Sequence, residues 1–322
     1  MSDSEPLVSV FVPTYNHEEY IEEAIESALQ QEYENLEIVI GDDCSTDSTW
    51  DIISRYEAEY PEVITAFRNK ENLGVTGNCN RVLKHCSGKF IAMHSGDDVM
   101  LPNKISKQVE VLESTPNCGF CYHNTEDFAS ETGKTIQRWN SRNDQPPRRE
   151  DSVEAARSIL EKQNSHVPPT SVMVYREGIP EPRFDDRVSV VSDWLFFLTY
   201  IMEYGGEVAY IDDVLSRRRI HDTNVSSDIS SYDSDQYLAL AIVEVNYPEL
   251  RSAVLSYRGY LYYRRGVESI MAGEYETGRK MMIEQVRYSV HSWKWLGWWL
   301  YSWILQYRIL KPDGEKQKSL LG

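Results

Sequence analysis

The feature that most constrains the fold of this 322-residue chain is a fourfold alternation, between Leu7 and Ser114, of short apolar runs with amphipathic stretches. The runs LVSVFVP, LEIVIG, VITAFRN and KFIAMHS are rich in β-forming residues and nearly continuous in apolar side chains, the pattern of strands buried on both faces. Each is followed by a stretch of helical character. These are Ile21, Ala24, Ile25 and Ala28 up to about Gln31, then Ile52, Ile53 and Tyr56 within residues 49–60, then residues 77–86, then residues 102–114. Asn16 with Glu19 three positions on predicts a capping-box start for the first helix. Strands that alternate with helices need right-handed crossovers, and so a mostly parallel sheet with helices on both faces. Ligands of such sheets sit beyond the carboxyl ends of the strands, which makes the loops after the strands the place to look for chemistry.

Downstream the alternation loosens. Residues 1–117 read as the first half of an α/β domain, and residues 118–230 as a second half built on the same sheet, with strands at SVMVYRE and EVAYID and a helix from Trp194 to Tyr204. Residues 231–322 read as a helical extension with a turn at Gly273. The extension ends in SWKWLGWWLYSWILQYRIL, where Trp293, Leu296, Trp299, Leu300, Trp303, Ile304, Tyr307 and Leu310 share one helical face and Lys294, Ser302, Gln306 and Arg308 the other. That polar stripe argues against a spanning helix. Peripheral contact with a membrane and packing against protein, including a partner subunit, both remain open.

Charge narrows the ligands. At −18 the chain repels a phosphate backbone, and no Lys/Arg run interleaved with aromatics offers a local footprint, so nucleic acid is not an expected partner. A small anion would need a cation or local basic groups to offset the field. The five cysteines are scattered, and no basic, apolar leader precedes the first strand, which points to a reducing, cytoplasmic setting. Cys118 and Cys121 form a CxxC without a second pair, inside an apolar strand pattern, and read as core residues.

The acidic positions fall after strands. VPTYN places Thr14 and Tyr15 at the lip of the sheet after the first strand. GDDCSTDST follows the second, where a carboxylate can accept from the imide N–H of uracil; the same Asp42, Asp43, Ser45 and Asp47 could equally cap the next helix. HSGDDVMLP follows the fourth, and Asp97 and Asp98 there are hard oxygen ligands suited to Mg²⁺ or Mn²⁺. Neither a GxxxxGK[ST] loop nor GxGxxG occurs.

Together, VSVFVPTYNHEEYIEEAIESALQQ, GDDCSTDST, ENLGVTGNCNRVL and SGDDVMLPNKI resemble, in order and spacing, the inverting family 2 glycosyltransferases of GT-A fold. The resemblance implies a Rossmann-like nucleotide-diphospho-sugar transferase fold, and a nucleotide-sugar donor, UDP-linked, held by Pro13, Thr14, Tyr15, Asp42, Asp43, Asn80 and Asp97. It implies a cation, Mn²⁺ or Mg²⁺, on Asp98, with His221 of RRRIHDTNVS a further candidate ligand and Arg217, Arg218 and Arg219 candidates for steadying the diphosphate. His94 and His166 receive no role. VSVVSDWLFFLTY resembles the family's base-bearing segment and makes Asp193 the catalytic base, although its place before a helix also suits an N-cap. The common form of the metal motif has an additional Asp two positions before Asp97, where this chain has Ser95. The implied acceptor is a hydroxyl of a polysaccharide, a lipid-linked glycan or a protein glycan. Two other readings fit parts of the chain. A nucleotidyltransferase would carry a basic, glycine-rich loop where this sequence has PTYNHEE, and a catalytically silent glycan- or nucleotide-binding module would carry no working base.

Overall fold

A computed structural model describes residues 5–140, 145–163, 167–181, 183–222, 229–288 and 294–309. His166, Trp293, Leu310 and the Thr223–Asn224–Val225 part of the RRRIHDTNVS stretch lie outside the described residues. The chain divides into two compact units, Met1–Leu250 and Arg251–Gly322.

The first unit is built on one ten-stranded sheet. Its opening half runs β1 (Val8–Thr14), α1 (Ile21–Leu29), β2 (Leu36–Asp42), α2 (Thr49–Glu59), β3 (Ile64–Arg68), α3 (Gly74–His85), β4 (Phe90–Met93), β5 (Val99–Met100) and α4 (Lys104–Ser114). Its second half runs β6 (Cys118–Ala129), β7 (Thr135–Arg138), β8 (Arg149–Asp151), α5 (Ser152–Glu161), β9 (Met173–Tyr175), α6 (Ser192–Tyr204), β10 (Glu207–Ile220) and α7 (Ile229–Asn246). The sheet order is β3-β2-β1-β4-β9-β6-β10-β5, with β7 on β6 and β8 on β10. The first four strands pair in parallel, as the alternation requires, and β9 enters antiparallel between β4 and β6. Because β1 pairs with both β2 and β4, the chain order reverses beside β1, and in sheets of this kind the ligand crevice lies at that point, beyond the carboxyl ends of the strands.

The core follows from strands buried on both faces. Val8, Val10, Val12, Ile38, Ile40, Phe90 and Ala92 pack with Ile21 and Ile25 of α1, Ile53 of α2 and Ile105, Val109 and Leu112 of α4. Elsewhere Phe11 stacks on Phe184 at 6.1 Å, and Phe184 on Phe196 of α6 at 4.5 Å. Cys118 and Cys121 are buried, unpaired residues of β6.

Three local expectations change. Helix α1 begins at Ile21 rather than at a capping box, because Asn16 sits in the left-handed region (φ 54°) and its Oδ1 accepts from Thr46 N at 2.8 Å in a different loop. Asp193 lies inside the first turn of α6 rather than at its cap, which is Val191. Strand β10, expected over EVAYID, runs on through the three arginines to Ile220 and pairs with β6, so Arg217, Arg218 and Arg219 belong to the sheet.

The second unit contains α8 (Arg251–Met271), α9 (Tyr275–Val286) and α10 (Lys294–Ile309), with Gly273 at φ 86° turning α8 into α9. Helix α10 has its small polar residue inward. Ser302 is fully buried, while Leu300, Tyr301, Trp303 and Ile304 are 50%, 43%, 40% and 52% exposed. No described helix is long and apolar enough to cross a membrane.

Candidate active site

The crevice is walled by three loops tied to one another through side chains. Asn16 N donates to Ser45 Oγ at 2.9 Å, His17 N to Thr49 Oγ1 at 2.8 Å and Glu18 N to Asp47 Oδ2 at 3.1 Å, while Ser48 N returns a bond to Glu18 Oε2 at 2.9 Å. The loop after β4 joins the same frame through His94 N to Phe11 O at 3.0 Å and Gly96 N to Pro13 O at 3.4 Å. Here glycine is required by space. A Cβ at Gly96 would overlap Thr14 Oγ1 and stand 2.9 Å from His17 Nδ1. Gly96→Ala is therefore expected to cost about 1–3 kcal/mol in urea denaturation. Gly297→Ala, which meets open space on α10, gains helix propensity and serves as the control.

Asp43 stands at the end of β2. Its backbone N–H donates to Thr14 O at 2.9 Å, and its Oδ1 accepts from Asn69 Nδ2 at 2.7 Å and Leu73 N at 2.8 Å. Since Thr14 also packs against Gly96, the two acidic loops meet across the end of β1. Pro13 is partly buried, and Tyr15, 41% exposed, offers its ring at the rim.

Two expected donor residues are engaged elsewhere. Asp42 is fully buried, accepts from Ser45 N at 3.1 Å and pairs with Arg68 Nε at 3.2 Å, so its carboxylate closes the loop below the crevice. Asn80 holds the Phe184 backbone in both directions, Nδ2 to O and N to Oδ1 at 2.9 Å each, and so clamps that segment onto α3.

After β4 the two neighbouring carboxylates are treated differently. Burial by itself raises the Asp97 carboxyl, yet His221 Nε2 at 3.1 Å, the nearby His17 and the Ser95 hydroxyl hold it well below its usual range. Burial and the adjacent Asp97 charge push Asp98 up, opposed by the backbone bond from Arg219 N at 2.9 Å and by the charges of Arg218 and Lys104. Ser95, where the common motif has a third acid, thus serves Asp97 as a hydrogen-bond donor. His221, whose Nε2 meets Asp97 Oδ2, packs on Tyr20 at 4.7 Å and lies 6.3 Å from His17.

The arginines alternate along β10. Arg217 stacks over Phe128 at 4.2 Å. Arg218 makes a two-pronged bond to Asp127, at 2.8 and 2.9 Å, and covers Trp139. Arg219 supports the acidic turn from behind, with Nε on Asp97 O at 2.9 Å and Nη2 on Glu23. Lys104, fully buried, donates to Met93 O and Thr170 O at 2.8 Å, and burial lowers it to about 7 although Asp98 opposes the shift. The sequence pattern assigns no role to Lys104, to His17 or to Asp127, the partner of Arg218. The available signal was charge placed within or beside apolar strand and helix patterns.

Asp193 is partly buried on the first turn of α6, where burial raises its carboxyl to about 6 while the N–H of Trp194 and the Arg218 charge restrain the rise. A carboxylate tuned to that range can take a proton near neutral pH. His94 is a core histidine lowered to about 3 by burial. Among the described residues no three His, Cys, Asp or Glu side chains form a ready cage for a metal ion.

The solved structure of Staphylococcus aureus TarS 1–349 in complex with UDP-GlcNAc matches with a TM-score of 0.65 at 16% identity, over 87% of this chain and 80% of that one. The mannosyltransferase PcManGT of Pyrobaculum calidifontis, in complex with GDP-Man and Mn²⁺, matches with a TM-score of 0.62 at 17% identity, over 96% and 84%. These likenesses show the GT-A fold. An uncharacterised protein of Mycobacterium tuberculosis is 33% identical over 224 residues, 66% of this chain and 59% of that relative, so the chain spans about three fifths of the relative's length. The family model described as Glycosyl transferase family 2 matches residues 9–179, more than half of the 322, and the chain belongs to that family.

Proposed function

We propose that this protein is a metal-dependent inverting glycosyltransferase that moves a sugar from a nucleotide diphosphate, UDP in the first instance, to a hydroxyl of a glycan or lipid-linked acceptor. The observation that carries the reading is the pair of buried carboxylates after β4, one raised by burial and by the charge of the other, facing the Asp43 loop across the end of β1. Two adjacent buried carboxylates of this kind fit a divalent cation whose shell is completed by substrate oxygens and water rather than by a protein cage. Asp98 and Asp97 would hold the ion, with His221 alongside, and bound there it would offset charge on the departing diphosphate.

The remaining work falls to side chains of this chain. Asp43 accepts from the base of the nucleotide and Tyr15 offers it a ring face. Asp193 takes the proton from the acceptor hydroxyl as that oxygen attacks the anomeric carbon from the side opposite the leaving diphosphate, in a single displacement that inverts the centre. The nucleotide sugars bound by TarS and PcManGT support the donor class, and five unpaired cysteines support a cytoplasmic setting.

A thermal-shift panel tests the donor. UDP with Mn²⁺ is expected to raise Tm, by the equivalent of about 2.7 kcal/mol at a hundredfold excess over Kd. UDP with a chelator should give a small shift or none. A shift for GDP alone would move the donor assignment, and none for any nucleoside diphosphate with Mn²⁺ would sink the proposal.

A further inference from the structure

Helix α10 presents to solvent what its sequence would ordinarily bury. Leu300, Tyr301, Trp303 and Ile304 lie within one turn and a fraction, and each is at least 40% exposed, while Ser302 between them points inward and donates to Trp299 O at 2.6 Å. Contiguous outward apolar side chains of this size mark a contact surface. The local charge says what kind. From Gln285 to Pro312 there is no Asp or Glu, whereas Arg287, Lys294, Arg308 and Lys311 supply positive charge, in a chain whose net charge is −18. From α9, Arg279 sits 4.0 Å over the Trp303 ring and brings a further cation to the edge of the exposed face.

Aromatic composition points the same way. Five of the eight tryptophans fall between Trp293 and Trp303, and indole rings favour the boundary between hydrocarbon and headgroups. The helix is too short and too interrupted by polar residues to span. Residues 251–322 hold twelve Lys and Arg against six Asp and Glu, so the unit that carries α10 is itself positive.

We propose that α10 is an interfacial anchor, which lays the Leu300–Tyr301–Trp303–Ile304 face into the headgroup region of an anionic bilayer, drawn there by Arg279 and by the positive charge of the surrounding sequence. A surface-bound enzyme of this design would work at a membrane without a spanning segment in these residues. The inference stands apart from the sugar-transfer reading, since it rests on the second unit alone.

The test is co-sedimentation of the full chain with vesicles of phosphatidylcholine alone and with about a quarter phosphatidylglycerol. The expected result is binding to the anionic vesicles, at least about tenfold stronger than to the neutral ones and weakened by salt. The variant carrying Leu300→Ser, Trp303→Ser and Ile304→Ser should lose about tenfold or more of that binding with its circular dichroism spectrum retained and Tm lowered only slightly, by the lost contacts of Trp303 with Arg279 and Trp299. Equal, negligible partitioning of the parent chain onto both vesicles overturns the proposal. So does undiminished binding by a folded triple variant, or a dimer that the triple substitution dissociates with no vesicle binding by the parent, which would assign the face to a second copy. Should the triple variant misfold, Arg308→Glu with Lys311→Glu is the second reading, and loss of the preference for anionic vesicles is then required.

Discussion

Asp193→Asn is expected to lower sugar transfer by about 10²- to 10⁴-fold, the range of a lost general base, while nucleotide binding persists and the protein becomes more stable at neutral pH. The three outcomes share one cause. Burial lifts the Asp193 carboxyl to about 6 from its ordinary 3.8, so the folded state holds this proton more tightly than the unfolded chain does. Stability from this group is therefore fully present at low pH and falls as pH rises from about 4 through 6, where the native state must ionise a buried acid. Asn keeps the shape and never ionises, so Tm should rise relative to the parent above pH 6 and match it near pH 4. Activity runs in the opposite sense, because the base works only when ionised. The parental kcat/KM should drop as pH falls through about 6. A residue that merely supported α6 would lose stability on substitution and leave the pH profile in place. Transfer by Asp193→Asn at the parental rate would remove Asp193 from the mechanism.

The parallel half of the sheet was legible because its strands are buried on both faces and so read as continuous apolar runs. The crevice was legible for the same reason, since the polar loops stand out against those runs. Long-range partners hid the rest. Asn16 looks like a local cap, but its side chain belongs to Thr46, thirty residues away, and its left-handed backbone ends any helix there. The strand pattern stops at EVAYID because Asp212 and Asp213 break it, at the point where β10 is irregular against β6, and three arginines follow; these are accommodated by Phe128, by Asp127 and by the Asp97–Asp98 turn. Asp42 and Asp43 are neighbours of one type, yet Arg68 and Ser45 bind the first while Asn69 and Leu73 orient the second. Composition and spacing do not distinguish them, because the difference lies in what the fold brings to each; only the family resemblance singles out Asp43. The same is true of Lys104, whose place under the acidic turn depends on α4 packing beneath β4.

Asp98→Asn is expected to abolish the Mn²⁺-dependent part of the nucleotide thermal shift and to lower transfer by about 10²-fold or more, the scale of several kcal/mol of lost charge stabilisation. The substitution is conservative in every other respect. Asn retains an oxygen that can accept from Arg219 N, so the bond between the acidic turn and β10 survives. It also removes a like charge from beside Asp97, so the apo protein should be at least as stable as the parent. Loss of ligand response without loss of fold separates an ion-binding carboxylate from a structural one. Asp97→Asn should behave differently, because that carboxylate already holds His221 and the Ser95 hydroxyl, and removing its charge should lower Tm as well as binding. With two protein carboxylates and Ser95 in place of a third, most of the ion's shell must come from the donor and from water. Mn²⁺ alone should then stabilise the protein little, and Mn²⁺ with UDP far more than the sum of the two. A parental enzyme that transfers sugar undiminished in excess chelator, or an Asp98→Asn variant with the full Mn²⁺-dependent shift, would show that these carboxylates serve the fold and that the diphosphate is held by the basic residues of β10 instead.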